Sequence, residues 1–286
     1  MTEFTEQQLL ERLEDLEQSP FSVNFDPISL LNQALHASGK RARKRSLELI
    51  GFFPNADFIE PLFRLIADET DLELRKQAID TLGQFLHHGS MSDYDRIEPD
   101  EWDKPEEGTG MADLSPGQFQ AIRDFMGELV NQPDWSPVLR ARALIYYARL
   151  NPERAATRID QFYSSGDEAL IKGAVKAIAR LSEGDWRGII MKEITRQPDD
   201  QRKQAAIDAA GQHEVEEAGP QLVRILRETT RSELRQAAVD ALGRVPWSEA
   251  ADHLQEYLED EDEVVRELAE QGLRRCAHRM EREQQL

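Results

Sequence analysis

A motif that recurs at a fixed interval, and cannot bury its own apolar face, leaves few folds open to a chain. Ser232 to Val245 reads SELRQAAVDALGRV, and Asp71 to Leu86 reads DLELRKQAIDTLGQFL. Arg235 aligns with Arg75, Ala238 with Ala78, Val239 with Ile79, Asp240 with Asp80, Leu242 with Leu82 and Gly243 with Gly83. Leu234, Ala238, Val239 and Leu242 form one stripe of an α-helix. The glycine after the stripe predicts a helix stop. Copies align on Arg43, Arg75, Arg140, Ile171, Lys203, Arg235 and Arg266, at steps of 32, 65, 31, 32, 32 and 31 residues. One step is double, and the rest hold a period typical of stacked helical hairpins.

Three positions after the aligned residue stand Ser46, Ala78, Ala143, Ala174, Ala206, Ala238 and Ala269. Small residues there let helices approach closely. The next column is Leu47, Ile79, Leu144, Val175, Ile207, Val239 and Glu270. Only the last copy is polar, as a water-facing terminal repeat requires. Asp71, Asp167, Asp199 and Asp262 precede their copies as N-caps, and Ser136-Pro137 does the same for the third. First helices are expected ahead of each copy, among them Ala56 to Asp68, Ser115 to Asn131, Val215 to Thr229 and Trp247 to Leu258. No segment alternates with a period of two, so no sheet is expected. The prediction is one all-α domain over residues 1–286, an α-solenoid of about seven hairpins. Residues 5–18 form an N-terminal capping helix with Thr5 and Gln8 as a capping box. Residues 262–279 form a C-terminal capping helix, with fraying expected after about Arg279. The double step contains residues 87–114, an acidic stretch without a helical stripe, read as an insertion inside one repeat.

Charge and composition narrow the function classes. The 286 residues carry a formal charge of -20 and one cysteine, Cys276. An internal disulfide is excluded, and a reducing compartment suits the chain. The N-terminus lacks the basic start and apolar run of a signal peptide. No stretch has the apolar length of a membrane span. The acidic balance disfavours nucleic acid and anionic lipid and favours basic partners. A cytoplasmic protein, monomeric or weakly oligomeric, is expected.

The period, the prolines near first-helix starts, and the Asp…Val-Arg…Ala…Leu-Gly pattern resemble the HEAT-repeat family. DEDEVVRELAEQGL (Asp260 to Leu273) and SELRQAAVDALG (Ser232 to Gly243) match best. The short period looks most like the HEAT-like repeats of phycobilin lyases and many bacterial proteins. The resemblance covers roughly Asp26 to Arg279 apart from the insertion. It implies a ladder of repeat Asp and Arg residues, here Asp71 with Arg75 and Asp262 with Arg266, interrupted at Ile171. It also implies that second helices line a concave, partner-holding surface. Charged second-helix residues Lys44, Lys76, Asp80, Arg142, Lys176, Asp208 and Asp240 are therefore the candidate partner contacts. Tyr94 and Trp102 join them as aromatics within the acidic insertion. The implied function is a non-catalytic scaffold or adaptor for a protein partner, without cofactor. Bilin lyase-like chromophore attachment, or another maturation role, is the alternative by family analogy.

Other motifs carry competing readings. Deoxyhypusine hydroxylase, a HEAT-like enzyme family, binds a di-iron centre through four His-Glu pairs. Here His213-Glu214 stands alone, which fits a polar turn better than a metal site. The basic run Lys40, Arg41, Arg43, Lys44 and Arg45 reads as a contact for an acidic partner or as a solvated helix face. The insertion's acids lack the spacing of a calcium loop. Ile145, Tyr146 and Tyr147 make the third copy unusually apolar, either packed on the insertion or exposed as a patch. Cys276 is expected to pack rather than react. No Ser-His-Asp logic, phosphate-binding glycine loop or nucleophile elbow is present.

Overall fold

A computed structural model describes residues 4–19, 24–52, 55–89, 114–196 and 201–283. Among these residues there are fifteen α-helices and no strand, and the fold is an all-α solenoid. The chain divides into two compact units, Met1–Trp135 and Ser136–Leu286.

The first unit contains α1 (Glu6–Gln18), α2 (Pro27–Leu35), α3 (Lys40–Phe52), α4 (Ile59–Asp68), α5 (Leu72–Gly89) and α6 (Pro116–Asn131). Thr5 starts α1: its hydroxyl accepts from the Gln8 amide at 3.3 Å, and the Gln8 side chain accepts from the Thr5 amide at 3.0 Å. Leu9, Leu13 and Leu16 are buried as α1 packs on α2 and α3. Asp26 caps α2, and Ser115 caps α6 in a second capping box. The helices α2 and α3, then α4 and α5, pack as hairpins, and α3 packs against α5. Phe63 of α4 stacks on Phe125 of α6, with ring centres 4.2 Å apart.

The second unit opens with α7 (Pro137–Leu150). The hairpins α8 (Pro152–Tyr163) with α9 (Glu168–Ile178) and α10 (Arg187–Ile194) with α11 (Gln201–Gln212) follow. The last two pair α12 (Gly219–Glu228) with α13 (Ser232–Arg244) and α14 (Ala250–Gln255) with α15 (Glu263–Glu283). The second helices α7, α9, α11, α13 and α15 stack in that order.

The two columns read from the sequence are the core. Ser46, Ala78, Ala143, Ala174, Ala206, Ala238 and Ala269 are all fully buried. So are Leu47, Ile79, Leu144, Val175, Ile207 and Val239, whereas Glu270 is exposed. Asp71, Asp167 and Asp262 accept from backbone amides at their helix starts, and Ser136 accepts from Leu139. Asp199 lies outside the described residues.

Four local expectations are corrected. Gly243 does not stop its helix: α13 runs on to Arg244, and α5 runs six residues past Gly83 to Gly89. A Cβ on Gly243 would collide with the Cα of Gly272, so this glycine serves the close approach of α13 and α15. The insertion does not begin at His87 or lie inside one hairpin, because α5 continues to Gly89 and the segment joins α5 to α6. First helices are shorter than the apolar stripes: 3₁₀ turns at Ala56–Phe58 and Glu216–Ala218 precede α4 and α12. At the other end, α15 continues past Arg279 to Glu283.

The Asp–Arg ladder also takes another form. Asp71 receives the Lys40 ammonium from the preceding second helix at 2.5 Å. Asp262 receives Ser232 Oγ at 2.6 Å and Gln236 Nε2 at 2.9 Å, likewise from the preceding second helix. Both carboxyls are held below the usual range, Asp71 chiefly by Lys40 and Asp262 chiefly by Ser232. Arg75 and Arg266 tie down their own turns, while Arg235 reaches Asp260 of the following repeat. Arg75 donates to the Ile66 carbonyl at 2.7 Å, and Arg266 donates to the Asp260 carbonyl at 2.7 Å. A carboxylate whose helix amides already occupy one oxygen turns its other oxygen toward the neighbouring repeat.

Candidate functional site

In the second unit, four successive second helices turn side chains into one groove of about 550 Å³. The helix α7 contributes Arg142, Ile145 and Tyr146, and α9 contributes Lys176 with Ala179 and Arg180 just beyond its end. From α11 come Gln201, Gln204, Ala205, Asp208 and Gln212; from α13 come Asp240 and Arg244. The repeat explains the convergence. Ile145, Lys176, Asp208 and Asp240 stand at one register, immediately after the two buried columns. Helix contacts through alanine and glycine bring these side chains together. A Cβ on Gly173 would stand 2.7 Å from the Ala141 Cα, and one on Gly211 would stand 2.9 Å from the Ala241 Cα.

The groove's charges are not equivalent. Asp240 is clamped, with Oδ2 at 2.9 Å from Arg244 Nε and Oδ1 at 3.0 Å from Arg275 Nη1. Asp208 is exposed to the groove, whose walls still strip part of its water. That desolvation pushes its pKa up, against the pull of Arg180, Lys176 and Arg244 and with the repulsion of Asp240. Among the described lining residues no Ser, Thr, Cys or His is present, and Tyr146 supplies the hydroxyl.

A separate polar cluster is built into the packing of α8 to α11. Arg202 donates to Glu193 at 3.0 and 2.6 Å and to both oxygens of Glu168 at 2.9 Å. The Tyr163 hydroxyl donates to Glu193 at 2.7 Å. The Glu193 side chain is 1% exposed. Tyr163 is pushed up to about 12, by burial first and by Glu193 second. This cluster joins α9 to α11 in the repeat where Ile171 replaces the arginine.

The sequence-derived contacts therefore separate. Arg142, Lys176, Asp208 and Asp240 come together in the groove. Lys44 and Lys76 lie in the first unit, paired with Glu48 at 3.8 Å and Glu73 at 2.8 Å, and Asp80 lies on α5 of the same unit. Tyr94 and Trp102 lie outside the described residues. Ile145 and Tyr146, flagged as unusual, are half-buried groove walls, while Tyr147 is core. Arg180, Gln212 and Arg244 were missed. The signal was available, since each stands four residues after Lys176, Asp208 or Asp240, one turn along the same helix face.

The other motifs settle into packing. In the basic run, Lys40 pairs with Asp71, Arg43 with Glu69, Lys44 with Glu48, and Arg45 with Glu17 and Glu48. His213 Nε2 lies 2.9 Å from the Ile178 carbonyl, bonding α11 to α9, and Glu214 turns the chain at φ 49°. Among the described residues no three His, Cys, Asp or Glu side chains gather as metal ligands, and no helix is long and apolar enough to cross a membrane. Cys276 is buried, which pushes its thiol up.

Fold and groove together define a helical-repeat solenoid with a side-chain-lined surface on its second helices. Residues 189–274 match the family model of HEAT repeats, a stretch from within α10 to within α15. No curated protein matches the chain. Among solved structures, an engineered protein is 19% identical over 93% of this chain and 71% of its own, with a TM-score of 0.42. Human deoxyhypusine hydroxylase in complex with glycerol is 15% identical over 96% of this chain and 92% of its own, with a TM-score of 0.39. A designed armadillo repeat protein is 16% identical over 87% of this chain and 99% of its own, with a TM-score of 0.33. Likenesses at these TM-scores do not bear on activity.

Proposed function

We propose that the protein is a non-catalytic scaffold or adaptor that grips a protein partner along its second helices. The observation that carries this reading is the groove in which α7, α9, α11 and α13 present one continuous polar surface. In a repeat array each unit adds a strip to such a surface, so it recognises length and pattern rather than one small molecule. Arg142, Lys176, Asp208 and Asp240 are the proposed contacts there. Lys44, Lys76 and Asp80 are proposed as contacts in the first unit, and Tyr94 and Trp102 in the acidic segment. The reading places the protein in the cytoplasm as a monomer or weak oligomer, without cofactor, nucleic acid or membrane.

Quantitative affinity purification from the native host tests it, comparing wild type with Arg142→Glu/Lys176→Glu. Both proteins are first matched for helical content and melting temperature. The expected result is a partner captured by wild type and depleted at least about tenfold by the variant, since a charged hydrogen bond is worth about 1.5–3 kcal/mol. Equal capture by both proteins sinks the reading.

A further inference from the structure

We infer that the seam between the α8–α9 and α10–α11 hairpins is a latched slide. The helix α11 is poised to slip along α9, and the Glu193–Arg202–Glu168–Tyr163 cluster holds one register. The device sets the geometry of the groove and does not depend on what the groove binds.

The helix faces supply the slide. Packed helices lock in register when large side chains of one fill the gaps of the other. The helix α11 offers little to lock. Its buried residues include Ala205, Ala206, Ala209, Ala210 and Gly211, and Ile207 is its one large buried aliphatic. By contrast α13 buries Leu234, Val239 and Leu242, and α7 buries Leu139, Leu144 and Tyr147. The repeat's turn-binding arginine is also missing on both sides of the seam. Ile171 and Lys203 stand at the position where Arg75 and Arg266 bond their turns. A smooth face of small residues has near-equivalent seats one turn apart, a step of about 5.4 Å. One-turn slides of packed elements are an established mode of conformational change.

The cluster supplies the latch. Among the described residues the buried charged side chains are Glu193, Arg202 and Lys203, all on α10 and α11. A buried ionic network adds little net stability over apolar packing, but its bonds are satisfied in one arrangement. Arg202 crosses the seam to Glu168 of α9 with two bonds of 2.9 Å. Glu193 crosses it to Tyr163 of α8 at 2.7 Å. Arg202 and Glu193 also bond each other at 3.0 and 2.6 Å, so the crossing bonds act as one unit. His213 adds a tie at the far end of α11, to the Ile178 carbonyl at 2.9 Å. A slip of one turn breaks these bonds and leaves alanine against small residues. It also offsets the groove. Lys176 and Arg180 stand one turn apart, as do Asp208 and Gln212, so the two rows shift by one place.

The test measures distances between nitroxide labels in the full chain, by double electron–electron resonance, in a Cys276→Ala background. Ser164→Cys with Ser248→Cys places labels on either side of the seam and at opposite ends of their helices. A slip along α9 therefore changes their separation. Thr230→Cys with Ser248→Cys lies wholly beyond the seam, and all three positions are exposed. Two variants release the latch. Glu193→Leu/Arg202→Met removes its buried half. Glu168→Gln/His213→Ala leaves the buried pair intact and cuts the ties to α9 from a side chain that is 67% exposed and from a half-buried one. Both are matched to wild type for helical content. Wild type should give one narrow distance for each pair. Each variant should add a second distance for the seam pair, at least about 3 Å from the first, while the control pair keeps its own. A single unshifted seam distance in the variants that stay folded overturns the inference. Equal broadening of both pairs also overturns it, because that is general loosening rather than a slide.

Discussion

Gly243 shows how one residue type can satisfy a motif for an unexpected reason. Its Cα faces the Cα of Gly272 on the next second helix, and a methyl group on Gly243 would stand 2.4 Å from that Cα. Gly243→Ala should destabilise the protein by about 1–3 kcal/mol, because the collision is with backbone and cannot be relieved by a rotamer. Gly188 on α10 has open space at its Cβ position, so Gly188→Ala should gain about 0.5 kcal/mol from helix propensity. Chemical denaturation of both variants checks the pair, and matching losses would mean that helix propensity is not what separates them. Asp208 makes the complementary electrostatic point. Its native pKa is raised above the unfolded value, so the native state holds the extra proton between the two. Stability from this group therefore falls as pH rises through that window, and the penalty persists above it. Asp208→Asn should stabilise the protein at neutral pH. The gain should shrink toward zero below the ordinary carboxylate range, as read from melting temperatures against pH.

At the level of helices, the Glu193–Arg202–Glu168–Tyr163 cluster spans four elements and cannot be dismantled one side chain at a time. Arg202→Met leaves the almost fully buried Glu193 with the longer 3.9 Å contact to Arg196 in place of its main cation, which should cost about 3 kcal/mol. Adding Glu193→Leu should return part of that loss, because it removes the stranded charge. A double variant less stable than Arg202→Met would show that Tyr163 and Glu168 depend on Glu193 more than Arg202 does. None of these partners was legible in the sequence. Tyr163 and Glu193 are thirty residues apart, outside the repeat's matching columns, and meet only once the hairpins stack. The helices themselves were legible wherever period and cap agreed, as in Thr5 with Gln8 or Asp167 ahead of Leu170. Their ends were less so. A glycine at a helix end and a glycine at a helix crossing look alike in one sequence, and Gly83 and Gly243 are the second kind or continue the helix. For the groove, Lys176, Asp208 and Asp240 followed from register alone. Arg180 and Arg244 needed one more turn of the same reasoning.

At the scale of the whole molecule, the repeat pattern changes at its last copy. Six copies of the second buried column are aliphatic, and the seventh is Glu270, exposed and within 3.8 Å of Arg274. An aliphatic residue there would leave α15 with the same unsatisfied face that every internal second helix offers its successor. The contact would be head-to-tail between molecules, and such contacts do not close on themselves. Glu270→Val should therefore associate as concentration rises, giving light scattering and a growing sedimentation coefficient where wild type stays unchanged. If the variant remains the size of wild type at high concentration, other parts of α15 guard that face. If it grows, the carboxylate is a polymerisation terminator: one charge that keeps a filament-forming repeat a discrete particle.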